Sequence, residues 1–311
     1  MRALGAGGSG QLDWDPPATN VGRDAPSRPS AAAHEVVETG ERVLAPLLKW
    51  PGGKRALARQ IVDRFPSGFS TYYEPFFGGG AVFFALTPLS AVITDVNEEL
   101  INCYQMVRDE PEALISVLGG FRNSKDEYYR MRDYRPRNEI RRAARFIYLT
   151  RLSFNGIHRV NLRGKFNVPY GHKTHVAVVD EIAIWEASIA LSTARIMVAD
   201  FEAATSLAGR GDLVYFDPPY TVAHANNGFV KYNENIFSWS DQVRLAEVAH
   251  ALHLRGCTVI VSNADHKSVR DLYPAAETDT LERFSRMAAS SEFRKPITEC
   301  LFVMNGENGL A

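Results

Sequence analysis

The chain has only three cysteines in 311 residues, Cys103, Cys257 and Cys300, far apart and with no CxxC pair or Cys/His cluster. That scarcity argues against a disulfide framework and a zinc site, and it fits a reducing cytoplasm. No apolar run approaches the roughly 20 residues that cross a bilayer, and the N-terminus lacks the apolar centre of a signal peptide. There is no GxGxxG fingerprint and no internal repeat. A net charge of −1 offers no global electrostatic attraction for a polyanion. One absence is local. From Ile140 to Val179 there is no Asp or Glu, while Arg141, Arg142, Arg145, Arg151, Arg159, Arg163, Lys165 and Lys173 all fall there, so the rest of the chain carries −9. A solvated basic loop would account for part of this; a surface for a polyanion accounts for the segregation better.

With 45% hydrophobic and 23% charged residues the composition is that of a globular protein, long enough for one large domain carrying a smaller insertion. Residues 1–42 read as a disordered N-terminal tail, rich in Gly, Pro, Ser and Ala and without apolar periodicity. The tail contains "DWDPPA" at 13–18, which has no apolar strand before it and no Tyr after it, and receives no function. Order is expected from Val43. "RALARQIVDRFP" predicts a helix with Leu57, Ile61, Val62 and Phe65 on one face, ended by Pro66. "TYYEPFFGGGAVFFAL" predicts strand, glycine turn and helix, and "AVITDVNEELINCYQMV" a strand ending at Asp95 and another helix. "DLVYF", "CTVIVSN" and "ITECLFVMNG" are further strands, with a helix between the first two capped by Ser240 and closed by Gly256. Strands alternating with helices imply a parallel α/β sheet.

Four stretches carry chemistry. In "EPFFGGGAVF" three glycines let the backbone approach a ligand at a helix start, although a tight turn alone would also explain them. Asp95, which ends the next strand 17 residues after Gly78, is placed like the acid that takes ribose hydroxyls in nucleotide-type folds, so the pair suggests an adenosine-containing ligand. In "KWPGGK" Lys54 could hold a carboxylate and Trp50 offers a stacking face; a plain helix-start turn competes with that reading. In "LVYFDPPY" a buried strand ends in two stiff prolines that pre-position Asp217 and Tyr220. An Asp with a neighbouring carbonyl can accept both hydrogens of an exocyclic amine, and a Tyr can stack on the ring that carries it. "SFNGIHRVNLRGKFNVPYG", 153–171, interleaves aromatics, amides and arginines suited to base edges and phosphates.

Taken in order, "LLKWPGGK", "YEPFFGGGAVFF", "TDVNEELI", "RVNLRGKFNVPYG", "LVYFDPPY" and "VIVSNADH" resemble the Dam-like (D12 class) family of DNA adenine-N6 methyltransferases, from about residue 47 to 305. The resemblance implies a class I methyltransferase fold, a Rossmann-like seven-stranded sheet with one antiparallel strand and an inserted helical target-recognition domain. It implies a catalytic domain of residues 43–107 and 180–311 around a DNA-recognition domain of 108–179. It also implies S-adenosylmethionine as methyl donor, no metal, and double-stranded DNA as partner. By position, Trp50 and Lys54 would lie by the methionine end of the cofactor, with Phe76, Gly78 and Gly80 as its cradle. Asp95 would meet the ribose, Asp200 and Phe201 the adenine, and Asp217 would border both substrates. Asp217, Pro218, Pro219 and Tyr220 would be catalytic; Lys49, Asn155, Ile157, Arg159, Asn161 and Arg163 would touch DNA. The expected reaction is methyl transfer to a flipped adenine, Tyr220 and Phe76 holding its ring, at a GATC-like site. His158 and "GHKTH" depart from the family's usual pattern, and "TVAHANNGFVKYNENIF" after Tyr220 is a candidate lid. The rivals are an enzyme of the same core that methylates RNA adenine or a protein amide, a non-catalytic DNA-binding protein on the same fold, and, weakest for want of GxGxxG, an NAD(P)-dependent enzyme. A cognate restriction endonuclease encoded nearby is a further possible partner.

Overall fold

The computed structural model describes residues 44–161, 163–221, 237–284 and 296–306. The N-terminal tail and most of the candidate lid, 222–236, lie outside the described residues. Seven strands form one sheet: β1 (Tyr72–Glu74), β2 (Ala91–Asp95), β3 (Ala194–Val198), β4 (Leu213–Phe216), β5 (Thr258–Ala264), β6 (Glu277–Phe284) and β7 (Pro296–Met304). Their order is β3-β2-β1-β4-β5-β7-β6. The first five are parallel, and β7 runs antiparallel to both β5 and β6. This is the Rossmann-like seven-stranded sheet with one antiparallel strand that the resemblance implies.

The helices are α1 (Ala58–Val62), α2 (Ala81–Leu86), α3 (Glu98–Asp109), α4 (Pro111–Gly119), α5 (Lys125–Asp133), α6 (Glu139–Leu152), α7 (Glu181–Leu191), α8 (Phe201–Ala204), α9 (Trp239–Leu254) and α10 (Lys267–Arg270). Local chemistry sets their starts. The side chains of Asn97, Ser124, Asn138 and Asp180 accept backbone N–H bonds at the heads of α3, α5, α6 and α7. The cap of α9 is Ser238 rather than Ser240, because Ser238 and Asp241 form a reciprocal capping box and Ser240 falls inside the first turn. The helix expected from Arg55 to Phe65 is regular only over Ala58–Val62, with Leu57 and Ile61 buried as its periodicity predicts.

β4 and β5 are buried along their whole length, since helices cover both faces of a parallel sheet. Strand β6 has no apolar run to announce it, and β3 offers only the short run Ile196–Ala199. Both are edge strands, and Arg195, Glu277 and Thr278 face solvent. The chain passes from β1 outward to β2 and β3, then returns as β4 on the other side of β1. The carboxyl ends of β1 and β4 therefore flank the point where strand order reverses, where open α/β sheets bind ligands.

Candidate active site

The glycine turn leaves β1 at this switch point. Gly78 and Gly80 adopt φ of 49° and 65°, left-handed conformations that favour glycine. A Cβ on Gly78 would sit 2.7 Å from the Trp50 ring, and one on Gly80 would sit 2.5 Å from Phe77. Asp95, at the end of β2, accepts from the Gly78 N–H at 3.0 Å and from the Asn97 N–H at 2.9 Å. The two features that sequence spacing paired are thus bonded directly, and the acid fixes the turn. Burial raises the Asp95 carboxyl above its usual range, against backbone N–H bonds from Asn97, Gly78 and Val96.

Phe76 stacks on Phe201 with centroids 5.5 Å apart, and Phe216 and Phe237 meet it edge-on. Asp200 caps α8, and both its oxygens are taken by Arg244 at 2.8 and 2.9 Å. Arg244 also lies over the Phe201 ring, 4.1 Å from its centroid. These residues fit an adenosine. Asp95 has about four lone-pair sites and gives up three to N–H groups, which leaves capacity for a ribose hydroxyl. Partly buried Phe76 supplies an aromatic face beside it.

Across the switch point β4 delivers Asp217. Lys54 reaches it at 2.6 Å, is 5% exposed, lies 4.9 Å from the Tyr220 ring centroid and stands 3.6 Å from Glu299 of β7. Burial alone would push the Lys54 ammonium down; Asp217, Tyr220 and Glu299 outweigh it and hold it above the ordinary lysine range. Tyr220 is pushed up by burial, against the nearby Lys54. Glu74, the last residue of β1, accepts from the Tyr72 hydroxyl at 2.7 Å, and burial together with the charge of Asp217 raises its carboxyl to about 8. Sequence reasoning missed Glu74 and Glu299. The available signal was a single acid at the end of, or inside, an otherwise apolar strand.

The basic segment divides in two. Arg142 pairs with Glu99 at 2.8 Å, Arg145 donates to the carbonyls of Met131 and Arg132, Arg151 pairs with Asp180 at 3.3 Å, and Lys173 donates to the Arg151 carbonyl. These cations knit the helices. Arg159 and Arg163 are exposed on a turn bridged at Val160 and Phe166, and Arg159 donates to the Asn167 side chain at 2.9 Å. The Asn161 side-chain oxygen closes that turn by accepting from the N–H groups of Arg163 and Lys165. Asn155 is exposed with φ of 55°, Ile157 is partly buried, and exposed Lys49 packs its side chain against Gly156. His158 turns inward and stacks on Trp50, centroids 4.9 Å apart at 18°. Burial and Arg145 lower its imidazole to about 4, with Glu99 opposing. No cluster of three or more metal-ligating side chains occurs among the described residues, and no described helix is long and apolar enough to cross a membrane.

Residues 50–287 match the family described as D12 class N6 adenine-specific DNA methyltransferase. The type II methyltransferase M1.LlaDCHI of Lactococcus lactis subsp. cremoris is 40% identical over 85% of this chain and 96% of its own length. The type II methyltransferase M.MjaIII of Methanocaldococcus jannaschii is 35% identical over 70% of this chain and 84% of its own. The DNA adenine methylase of Escherichia coli K12 is 30% identical over 82% and 93%.

Proposed function

The chain belongs to the D12 class of N6 adenine-specific DNA methyltransferases, and we propose that it methylates N6 of adenine in duplex DNA at a GATC-like site, using S-adenosylmethionine and flipping the target base. The observation that carries this reading is the meeting, at one switch point, of a glycine turn fixed by Asp95 and a DPPY turn ending in Asp217 and Tyr220. When bound, the cofactor supplies an electrophilic methyl group on a sulfonium. Asp95 orients its ribose and Phe76 with Phe201 its adenine. Trp50 is committed to His158 and the glycine turn, so its part is to shape the cradle from behind.

An adenine stacked in a duplex is out of reach, so the enzyme extrudes it at a cost of a few kcal/mol. The amine of adenine is a weak nucleophile because its lone pair is delocalised into the ring. Asp217 and the Pro218 carbonyl accept its two N–H bonds and localise the lone pair as positive charge develops on nitrogen. Tyr220 stacks on the base. Asp217 must share its carboxylate with Lys54 when the amine arrives. Glu299 keeps a second acid beside the ammonium during that exchange. Lys49, Asn155, Ile157, Arg159, Asn161 and Arg163 form the DNA-facing set, and the exposed Arg159 is the candidate base reader.

Asp217→Ala tests the central role. Single-turnover methyl transfer should fall about 10²- to 10⁴-fold with cofactor affinity retained. Transfer at the wild-type rate would remove Asp217 from the mechanism.

A further inference from the structure

The DPPY turn is hard to hold in place. Pro218 and Pro219 have no N–H, so the middle of the turn can be pinned only through its carbonyls. Behind it lie two amides with no assigned task. Gln242, on α9, and Asn263, on β5, are both fully buried. The Asn263 side-chain oxygen accepts from the Ala264 N–H at 2.8 Å, and its Nδ2 donates to Gln242 Oε1 at 3.0 Å. Gln242 Nε2 then donates to the Pro219 carbonyl at 3.4 Å. The neighbouring Ser262, also buried, lies 3.5 Å from the Tyr220 hydroxyl. Successive residues of a strand face opposite ways, so β5 reaches Tyr220 directly through Ser262 and Pro219 indirectly through Asn263.

Burying two carboxamides is unfavourable unless each is hydrogen-bonded, and apolar residues of similar size would fill the same space at no such cost. A directional hold on Pro219 accounts for their presence. We propose that Gln242 and Asn263 are positioning residues, a brace from β5 through α9 that fixes the DPPY backbone so that the Pro218 carbonyl and Asp217 meet the target amine together. This rests on the adenine-N6 reading given above. Neither amide touches substrate; both act through the turn.

Gln242→Leu removes the whole link. Gln242→Met keeps the side-chain length but loses both the acceptor for Asn263 and the donor to Pro219. Both variants should lose about 100-fold in single-turnover methyl transfer at saturating DNA and cofactor, the scale of a small misplacement at a reacting centre. Affinity for S-adenosylmethionine and for DNA should stay within about twofold. Amide hydrogen exchange at Asp217, Tyr220 and Thr221 should accelerate, a change that a packing role for Gln242 would not produce selectively. If Gln242→Leu fails to fold, Gln242→Met decides. A single-turnover rate within about threefold of wild type, or unchanged exchange at those three amides, would overturn the brace. Failure of the parent reading looks different: wild-type protein would transfer no methyl group to DNA adenine, and the exchange measurement would still judge the brace.

Discussion

At the scale of single residues the site turns on Lys54. Its place in "KWPGGK" predicted a cation near the cofactor, but its partners Asp217 and Glu299 are 163 and 245 residues away in sequence, and no local pattern announces such pairings. Lys54→Met removes the ammonium from between two acids, one of them 17% and the other 1% exposed. Stability should fall by about 3–5 kcal/mol, the cost of breaking a buried ion pair. Adding Glu299→Gln should restore part of it, as denaturant unfolding of the single and double variants would show. Further loss in the double variant would mean that Glu299 does not depend on Lys54. His158 supports a prediction with a definite sign. Its imidazole is lowered to about 4 in the folded chain against about 6.5 unfolded, so the unfolded state binds the extra proton between those values. His158 should therefore weaken folding as pH falls from 6.5 to 4, by up to about 3 kcal/mol. Urea unfolding of wild type and His158→Phe across that range should diverge at the acid end. Parallel curves would place the imidazole in contact with water.

At the scale of elements, strands with apolar runs and helices with caps were legible. "LVYF" and "CTVIVSN" became central buried strands, and "AVITD" delivered Asp95. What escaped was decided by tertiary position. The edge strand β6 lacks an apolar run, β3 has only the short one at Ile196–Ala199, and the start of α9 is settled by a reciprocal Ser238–Asp241 bond that another serine nearby obscures. In sequence the basic stretch reads as one surface, yet half of its cations bind helix ends or acids outside the stretch, at Glu99 and Asp180. Arg159, Arg163 and Lys165 of the 159–167 turn remain exposed, and on the proposed reading they face DNA. Arg159→Ala should cost about 1–3 kcal/mol of discrimination at one base position and leave the other positions alone. An equal loss on every sequence would make Arg159 a phosphate contact.

At the scale of the whole molecule, the order of motifs along the chain and the order of strands in the sheet describe one object. The glycine turn follows β1 and the DPPY turn follows β4; they are some 140 residues apart in sequence but neighbours in space because β4 returns beside β1. Sequence could supply the motifs and the resemblance that joins them. It could not supply the buried polar layer of Glu74, Gln242, Asn263 and Glu299 behind them, because each looks like an isolated polar residue until the sheet is closed. On the proposed reading, this layer and these turns serve methyl transfer to adenine in DNA. The most direct test incubates the protein with labelled S-adenosylmethionine and unmethylated duplex DNA, then identifies the labelled nucleoside. The labelled nucleoside should be N6-methyladenine, and it should be lost with Asp217→Ala. Label in another nucleoside, or none in DNA while the cofactor still binds, would contradict that reading.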